Sequence, residues 1–297
     1  MTASEEPLLP GCLYVVATPI GNLGDLSPRA LSLLSRVDLI CAEDTRTSGQ
    51  LLAAFGLHKP MVALHDHNED RVAARLVADL GAGKTLALIS DAGTPLVSDP
   101  GYALVKAVRE AGLELRAIPG PSALIAALSV AGLPTDEFSF AGFLPARASA
   151  RRERLRLLAA ETRTLVFYEA PHRIVECAED LATEFGPGRM VCLARELTKR
   201  FEQSLRLPAG ELAAWLRADD NRQRGEFVLV VAGAPATESR ASLSAERTLK
   251  VLLAELSPSR AARVAAELTG LKRKPLYELA LQLGAAEPGP EGDQPDN

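Results

Sequence analysis

The sequence lacks any apolar run near the roughly 18 residues that a membrane crossing needs. Its start, Met-Thr-Ala-Ser-Glu-Glu-Pro, has neither the basic end nor the apolar core of a signal peptide. A cytoplasmic protein with no membrane partner is expected. Cysteine is scarce: the four present, Cys12, Cys41, Cys177 and Cys192, are scattered without paired spacing, which excludes a disulfide frame or a zinc site and leaves them as small core residues. Histidine is as rare, and only His65 and His67 cluster. Those two would point to opposite faces of an extended segment, and Asn68 suits a helix cap, so no metal is expected. No G-x-G-x-x-G occurs, which argues against a dinucleotide site. Gly81-Ala82-Gly83-Lys84-Thr85 imitates the end of a P-loop, but Ala78 stands where the first glycine should be and a strand follows where a helix should. The net charge of −5 argues mildly against nucleic acid, although Glu287, Glu291, Asp293 and Asp296 in the tail supply part of it. Local basic patches therefore matter more than the sum.

What is present is a balanced composition suited to a well-packed α/β enzyme, organised around Thr85 to Gly101. Thr85 to Ile89 is a short β-rich run that breaks at Ser90-Asp91-Ala92-Gly93-Thr94-Pro95. In open α/β sheets ligands bind beyond the carboxyl ends of strands, so Asp91 and Gly93 sit where one would be expected. The pattern recurs. Leu13 to Ala17 ends in Thr18-Pro19-Ile20-Gly21-Asn22, and Val37 to Ala42 ends in Glu43-Asp44-Thr45-Arg46-Thr47-Ser48. A cap explains Thr47 or Ser48, but it explains Glu43, Asp44 and Arg46 together less well. With Met61 to Leu64 and Leu113 to Ile118, the first half becomes five strands alternating with helices, and hence a largely parallel sheet.

Pro119-Gly120-Pro121-Ser122-Ala123 opens a helix of small residues and marks the joint, after which strands are expected at Phe138 to Phe143, Thr164 to Tyr168, Met190 to Ala194, Ser204 to Leu207 and Phe227 to Val231. Shorter late connections predict a mixed sheet. Between the first two of these strands, Arg147 to Arg156 holds five arginines against one acid. A solvated helix face is the usual reason for such a run; contact with phosphates is the other. Glu169-Ala170-Pro171-His172-Arg173 and Arg195-Glu196-Leu197-Thr198-Lys199-Arg200 again follow strands.

Five stretches in order, Thr18 to Leu23, Ala42 to Arg46, Ser90 to Pro95, Ile118 to Ala123 and Tyr168 to Arg173, resemble the ribosomal small-subunit 16S rRNA cytidine 2′-O-methyltransferases of the tetrapyrrole methylase superfamily. The resemblance covers about residues 11 to 235. It implies two α/β domains of tetrapyrrole-methylase type, at 1–118 and 119–235, with S-adenosylmethionine in the cleft between them. It also implies a homodimer acting on 16S rRNA of the small ribosomal subunit. The cofactor would be held at Pro19, at Asp91, Ala92, Gly93, Thr94 and Pro95, at Ser122 and Ala123, and near Ala170 and Val228. The superfamily also methylates porphyrin-like carbons and diphthine; the motifs at Ala42 to Arg46 and Tyr168 to Arg173 favour rRNA.

Methyl transfer to an oxygen needs alignment and a proton acceptor. Asp44 or Glu43 is the expected base, with Arg46 orienting ribose or phosphate. RNA contacts are expected at Arg147, Arg151, Arg152, Arg154, Arg173 and Arg200. A small helical, helix-turn-helix-like appendage is expected at 240–285, with helices at 243–256, 258–268 and 275–283, a break at Thr269-Gly270, and Lys272, Arg273 and Lys274 at the turn. It would contact RNA or clamp the dimer. The acidic tail, 286–297, is expected to be disordered. A small-molecule methyltransferase and a non-catalytic RNA-binding factor are the rival functions.

Overall fold

Residues 7–65, 68–235 and 247–284 are described in the computed structural model, which divides into two units, Met1–Gly233 and Ala234–Asn297. In the first unit, β1 (Cys12–Val16), β2 (Leu39–Ala42), β3 (Met61–Ala63), β4 (Leu86–Ile89) and β5 (Glu114–Ile118) form an all-parallel sheet in the order β3-β2-β4-β1-β5. Its central strands are apolar on both faces because helices cover both. Tyr14, Val16, Ala87 and Ile89 pack with Leu33 and Leu34 of α1 (Pro28–Arg36) and Leu52 of α2 (Thr45–Ala54). Leu13, Leu86 and Leu88 point the other way, onto Leu76 and Leu80 of α3 (Glu69–Gly81) and Leu104 and Val108 of α4 (Tyr102–Glu110). β1 and β4 are neighbours, so their carboxyl-end loops meet.

Helix starts follow local chemistry in part. Ser27 accepts a hydrogen bond from Ala30 N–H at 3.1 Å, with Pro28 fixing the first turn of α1. Asn68 precedes α3 but makes no side-chain cap. It turns back instead, accepting from His65 N–H and donating to Ala63 O. His67 lies outside the described residues. The start of α4 is capped from a distance, since Gly101 has no side chain and Glu69 of α3 accepts from the N–H groups of Ala103 and Leu104.

The second sheet is mixed, as the connection lengths predict. β6 (Phe138–Phe143), β7 (Thr164–Glu169), β8 (Met190–Arg195), β9 (Gln203–Pro208) and β10 (Phe227–Val231) lie in the order β6-β7-β10-β8-β9. β6 and β7 are parallel, and the other pairs are antiparallel. Helices α6 (Ala148–Leu158), α7 (Ile174–Phe185) and α8 (Ala209–Arg217) bury Leu155, Ile174, Leu181 and Leu212 against Leu165, Phe167, Leu193 and Leu229. The opposite face, with Val166, Cys192, Ala194 and Val228, receives Leu124, Ala127 and Leu128 of α5 (Ala123–Val130). The joint helix thus leaves the first sheet and packs on the second. All four cysteines are buried and free; burial pushes the Cys41 thiol up to about 12, making it inert.

The second unit has helical residues at 247–253, then helices Pro258–Thr269 and Arg273–Gly284, around Leu249, Ala261, Ala262, Ala265, Leu276 and Ala280. Gly270, at φ +70°, ends the middle helix in the left-handed conformation that a side chain would resist. Residues 243–246 of the expected first helix, and the tail 286–297, lie outside the described residues. Among the described residues no helix is long and apolar enough to cross a membrane.

Candidate active site

The loops after β1 and β4 are joined by a two-residue antiparallel bridge. Thr18 N–H donates to Gly93 O at 2.8 Å and Gly93 N–H returns to Thr18 O at 3.1 Å. The Thr18 hydroxyl reaches Ser90 O at 3.2 Å. Gly93 adopts φ +83°, where an added Cβ would also stand 3.3 Å from Ile20 Cγ2. The loop after β5 comes equally close, because a Cβ on Gly120 would meet Ala17 Cβ at 3.0 Å. The Thr94 hydroxyl donates to Pro121 O at 3.0 Å and locks the second loop to the third.

These loops form one wall of a cavity of about 380 Å³, and the second sheet supplies the other. Ile20, Ala92, Gly93, Thr94, Ser122 and Ala123 line it from the first side; Phe143, Tyr168, Ala170, Pro171, Phe227 and Val228 line it from the second. Tyr168 ties the sides together, since its hydroxyl accepts from Leu124 N–H at 3.1 Å, at the start of α5. Phe140 and Phe143 pack edge-on to its ring at 4.9 and 5.7 Å, and burial raises its phenol. The floor near Ala170 is held by Glu169, which accepts from Ala170 N–H at 2.7 Å and from the Arg173 guanidinium.

Of the residues expected to hold the cofactor, Ala92, Gly93, Thr94, Ser122, Ala123, Ala170 and Val228 line the cavity. Pro19 and Pro95 are buried outside its lining, next to lining residues, and Asp91 is turned elsewhere. Asp91 accepts from Asp44 N–H at 3.1 Å, while its own N–H points at a Glu43 carboxylate oxygen 3.4 Å away. The loops after β2 and β4 therefore clasp each other. Burial raises the Asp91 carboxyl.

Asp44 caps α2 and is engaged by Arg46 through its N–H at 2.8 Å, its Nε at 3.2 Å and its Nη2 at 2.8 Å. The Arg46 side chain is 87% exposed. The guanidinium hydrogen bonds hold the Asp44 carboxyl down at about 2. A carboxylate so held is a weak base at neutral pH.

The arginine-rich helix α6 divides by phase. Arg147 and Arg154 are exposed, and Arg152 is half-exposed, 3.8 Å from Asp180. Arg151 is a correction to the expected RNA contacts: its side chain is 1% exposed, with Nε 2.6 Å from Asp180 and Nη2 3.2 Å from Glu176. A buried, paired guanidinium cannot reach a phosphate without giving up both of its ion pairs. Arg173 is likewise mostly buried, on Glu169. Arg200 is exposed above the Phe201 ring. In the second unit Lys272, Arg273 and Lys274 are exposed, and Arg273 donates to the Ser259 hydroxyl at 3.2 Å.

Asp99 escaped the sequence reading. It lines the cavity beside Val97 and Ser98, and burial pushes its carboxyl up to about 6, with the charges of Glu43 and Asp91 adding to the rise. The signal was its place within the same loop, eight residues beyond Asp91. Among the described residues no group of three metal-ligating side chains comes together.

Comparison with known proteins places this architecture. The family described as Tetrapyrrole (Corrin/Porphyrin) Methylases matches residues 12–213, and the RsmI C-terminal HTH domain matches residues 240–284. A protein of Xylella fastidiosa named ribosomal RNA small subunit methyltransferase I is 57% identical over 90% of this chain and 98% of its own. Relatives of the same name from Pseudomonas aeruginosa and Synechocystis are 53% and 49% identical, covering 92% and 93% of this chain and 97% and 99% of theirs. Among solved structures, the methyltransferase CobJ has a TM-score of 0.56 at 21% identity, covering 75% of this chain and 95% of that one. A diphthine synthase has a TM-score of 0.54 at 16% identity, covering 74% and 89%. At those identities the likeness is one of fold.

Proposed function

The chain belongs to the tetrapyrrole methylases and, within them, to the ribosomal RNA small subunit methyltransferase I family, and we propose on that premise that it methylates the 2′-oxygen of a cytidine ribose in the 16S rRNA of the small ribosomal subunit. It is an S-adenosylmethionine-dependent rRNA methyltransferase. The cavity joining both sheets carries the reading. Its volume of about 380 Å³ lies within the ~300–1,000 Å³ of small-molecule sites. Its walls combine apolar side chains with the loop backbone that a nucleoside-like ligand needs.

Ala92, Gly93, Thr94, Ser122, Ala123, Ala170 and Val228 would hold the cofactor, with Pro19, Asp91 and Pro95 shaping the loops from behind. Bound there, the cofactor supplies a methyl group activated by its sulfonium. Glu43, Asp44 and Arg46 form the catalytic loop. The Asp44–Arg46 pair presents a fixed guanidinium to ribose or phosphate, and Glu43 stands beside it. Holding the hydroxyl in line supplies much of the acceleration, up to roughly 7–11 kcal/mol in favourable cases. Arg147, Arg152, Arg154 and Arg200, with Lys272, Arg273 and Lys274 of the appendage, take the RNA backbone.

The enzyme works as a cytoplasmic homodimer, in which 1–118 and 119–235 act as two domains around the cavity and 240–285 as an RNA-contacting appendage. The test is transfer of labelled methyl from S-adenosylmethionine to small subunits from cells lacking this protein, with nuclease mapping. Label on one cytidine ribose is expected. Label on a base, or none on subunits and naked rRNA, would overturn the reading.

A further inference from the structure

β6 does not run as an unbroken ladder beside β7. Phe138, Ser139 and Phe140 pair with Thr164, Leu165 and Val166, and then the register slips, so that Phe143 stands opposite Tyr168 with one residue too many on the β6 side. An unbroken ladder would set Phe143 against Glu169, on the face of the sheet that α6 and α7 cover. The bulge turns it to the other face, beside Phe140, and into the cavity wall. Gly142, at φ +64°, makes the extra step possible.

The ring so placed is both fixed and bare. Tyr168 meets Phe140 and Phe143 edge-on, and its own hydroxyl is tethered to Leu124 N–H. The turn that brings Val97 and Ser98 into the cavity wall, left-handed at Leu96 (φ +76°) and Ser98 (φ +71°), abuts the bulge. A Cβ on Gly142 would stand 3.6 Å from Ser98 Oγ. Yet Phe143 is 54% exposed, whereas Phe227, the other phenylalanine of the cavity wall, is 2% exposed. A lone exposed apolar side chain calls for no explanation. One aimed into a cavity by a bulge does.

Resting on the rRNA-methylation reading, we infer that Phe143 is the platform on which the base of the target cytidine stacks while its ribose is methylated. The buried end of the cavity, at Gly93, Phe227 and Val228, suits the cofactor, so the exposed ring falls to the reactant that must arrive from solvent. A nucleotide whose 2′-oxygen enters a cavity leaves the stack of its neighbours, and its base then needs a new apolar face. Phenylalanine supplies one with no polar group of its own to satisfy. Because every base has such a face, Phe143 positions the nucleotide and does not identify it. No bond is made or broken at the ring; its work is to hold the sugar in place.

The test compares the wild-type full chain with Phe143→Leu, which keeps the apolar bulk and removes the ring, and with Phe143→Tyr, which restores it. Methylation of unmodified small subunits is measured at limiting subunit concentration, and S-adenosylmethionine binding by calorimetry. The enzyme loaded with S-adenosylhomocysteine is then titrated with subunits reconstituted with either cytidine or an abasic ribose at the methylated position. Phe143→Leu should lose about 5–150-fold in rate while binding the cofactor within about threefold of wild type. Phe143→Tyr should regain most of that rate. Phe143→Leu should also bind cytidine subunits more weakly than wild type does, yet abasic subunits equally well, since the ring then has nothing to carry. A Phe143→Leu rate within about twofold of wild type would overturn the assignment. So would a rate loss matched by an equal loss of cofactor binding, or equal weakening on cytidine and abasic subunits. Those results, with rRNA still labelled by wild type, leave the methylation reading standing. A wild-type protein that binds the cofactor but labels no rRNA would overturn that reading itself, and this assignment with it.

Discussion

Thr18 and Gly93, 75 residues apart in sequence, exchange both backbone hydrogen bonds, so the loops after two neighbouring parallel strands act as one rigid lip. Each loop alone would expose its polar backbone; joined, each satisfies the other. Gly93→Ala tests the lip. At φ +83° an alanine costs about 1–2 kcal/mol, and its methyl presses Ile20 out of place. A lowered melting temperature and about tenfold weaker S-adenosylmethionine binding are expected. Unchanged calorimetric affinity would mean that the lip does not shape the site.

Arg151 and Arg154 should separate stability from RNA binding. Removing a partner from a buried ion pair costs about 3–5 kcal/mol, so Arg151→Met should strongly lower the urea midpoint. Replacing Asp180 as well, as in Arg151→Met/Asp180→Leu, should recover most of the loss. Arg154→Ala, at the surface, should stay within about 0.5 kcal/mol of wild type and weaken RNA binding instead.

Asp99 should make the protein less stable than it could be. Its ordinary carboxyl value is 3.8 and its folded value about 6, so the folded state holds the proton more tightly than the unfolded chain. Its contribution is fully present below about pH 4 and is lost as pH rises through 6. A tenfold difference in proton affinity between the two states is worth roughly 1.4 kcal/mol, and partial solvent screening lowers the sum. Asp99→Asn, neutral throughout, should therefore gain about 1–2 kcal/mol at pH 7.5. At pH 4 the gain should disappear. Denaturation curves at the two pH values decide it.

Asp38 should act in the opposite sense. It accepts from Thr85 N–H and from the Thr85 hydroxyl, both at 2.7 Å, and these bonds hold its carboxyl below the usual range. Its support is present above about pH 4 and lost as pH falls through its lowered folded value. Asp38→Asn should therefore be slightly destabilised at pH 7, by under about 1 kcal/mol at this exposed site, and converge with wild type in acid.

The appendage cations should appear in the salt dependence of RNA binding. Neutralising Lys272, Arg273 or Lys274 should each reduce the slope of log affinity against log salt by about 0.7–0.9. Filter binding between about 50 and 200 mM salt measures it. Unchanged slopes would exclude the turn from the RNA interface.

Both sheets were legible because strands and loops alternate with sharp changes of composition, and because strand-end loops gather the polar residues. The role of Arg151 was hidden by charge counting, although helix phase carries it: Arg151, Leu155 and Leu158 fall at i, i+4 and i+7 and share one face. Asn68 looked like a cap but found nearer partners in His65 and Ala63. The start of α4 offered no capping side chain, and its real cap, Glu69, comes from another helix. Asp99 depends on left-handed turns at Leu96 and Ser98, residues with no local preference for them, so only the folded loop reveals which way it faces.

β10, the last strand of the second sheet in sequence, lies between β7 and β8 and carries Phe227 and Val228 into the cavity wall. During synthesis the sheet therefore waits, with two apolar edges unpaired, until residue 231 has left the ribosomal tunnel. A chain stopped earlier would present open edges to its neighbours. The cavity that both sheets wall thus stays open on one side until the strand carrying Phe227 and Val228 has emerged and slotted between its neighbours.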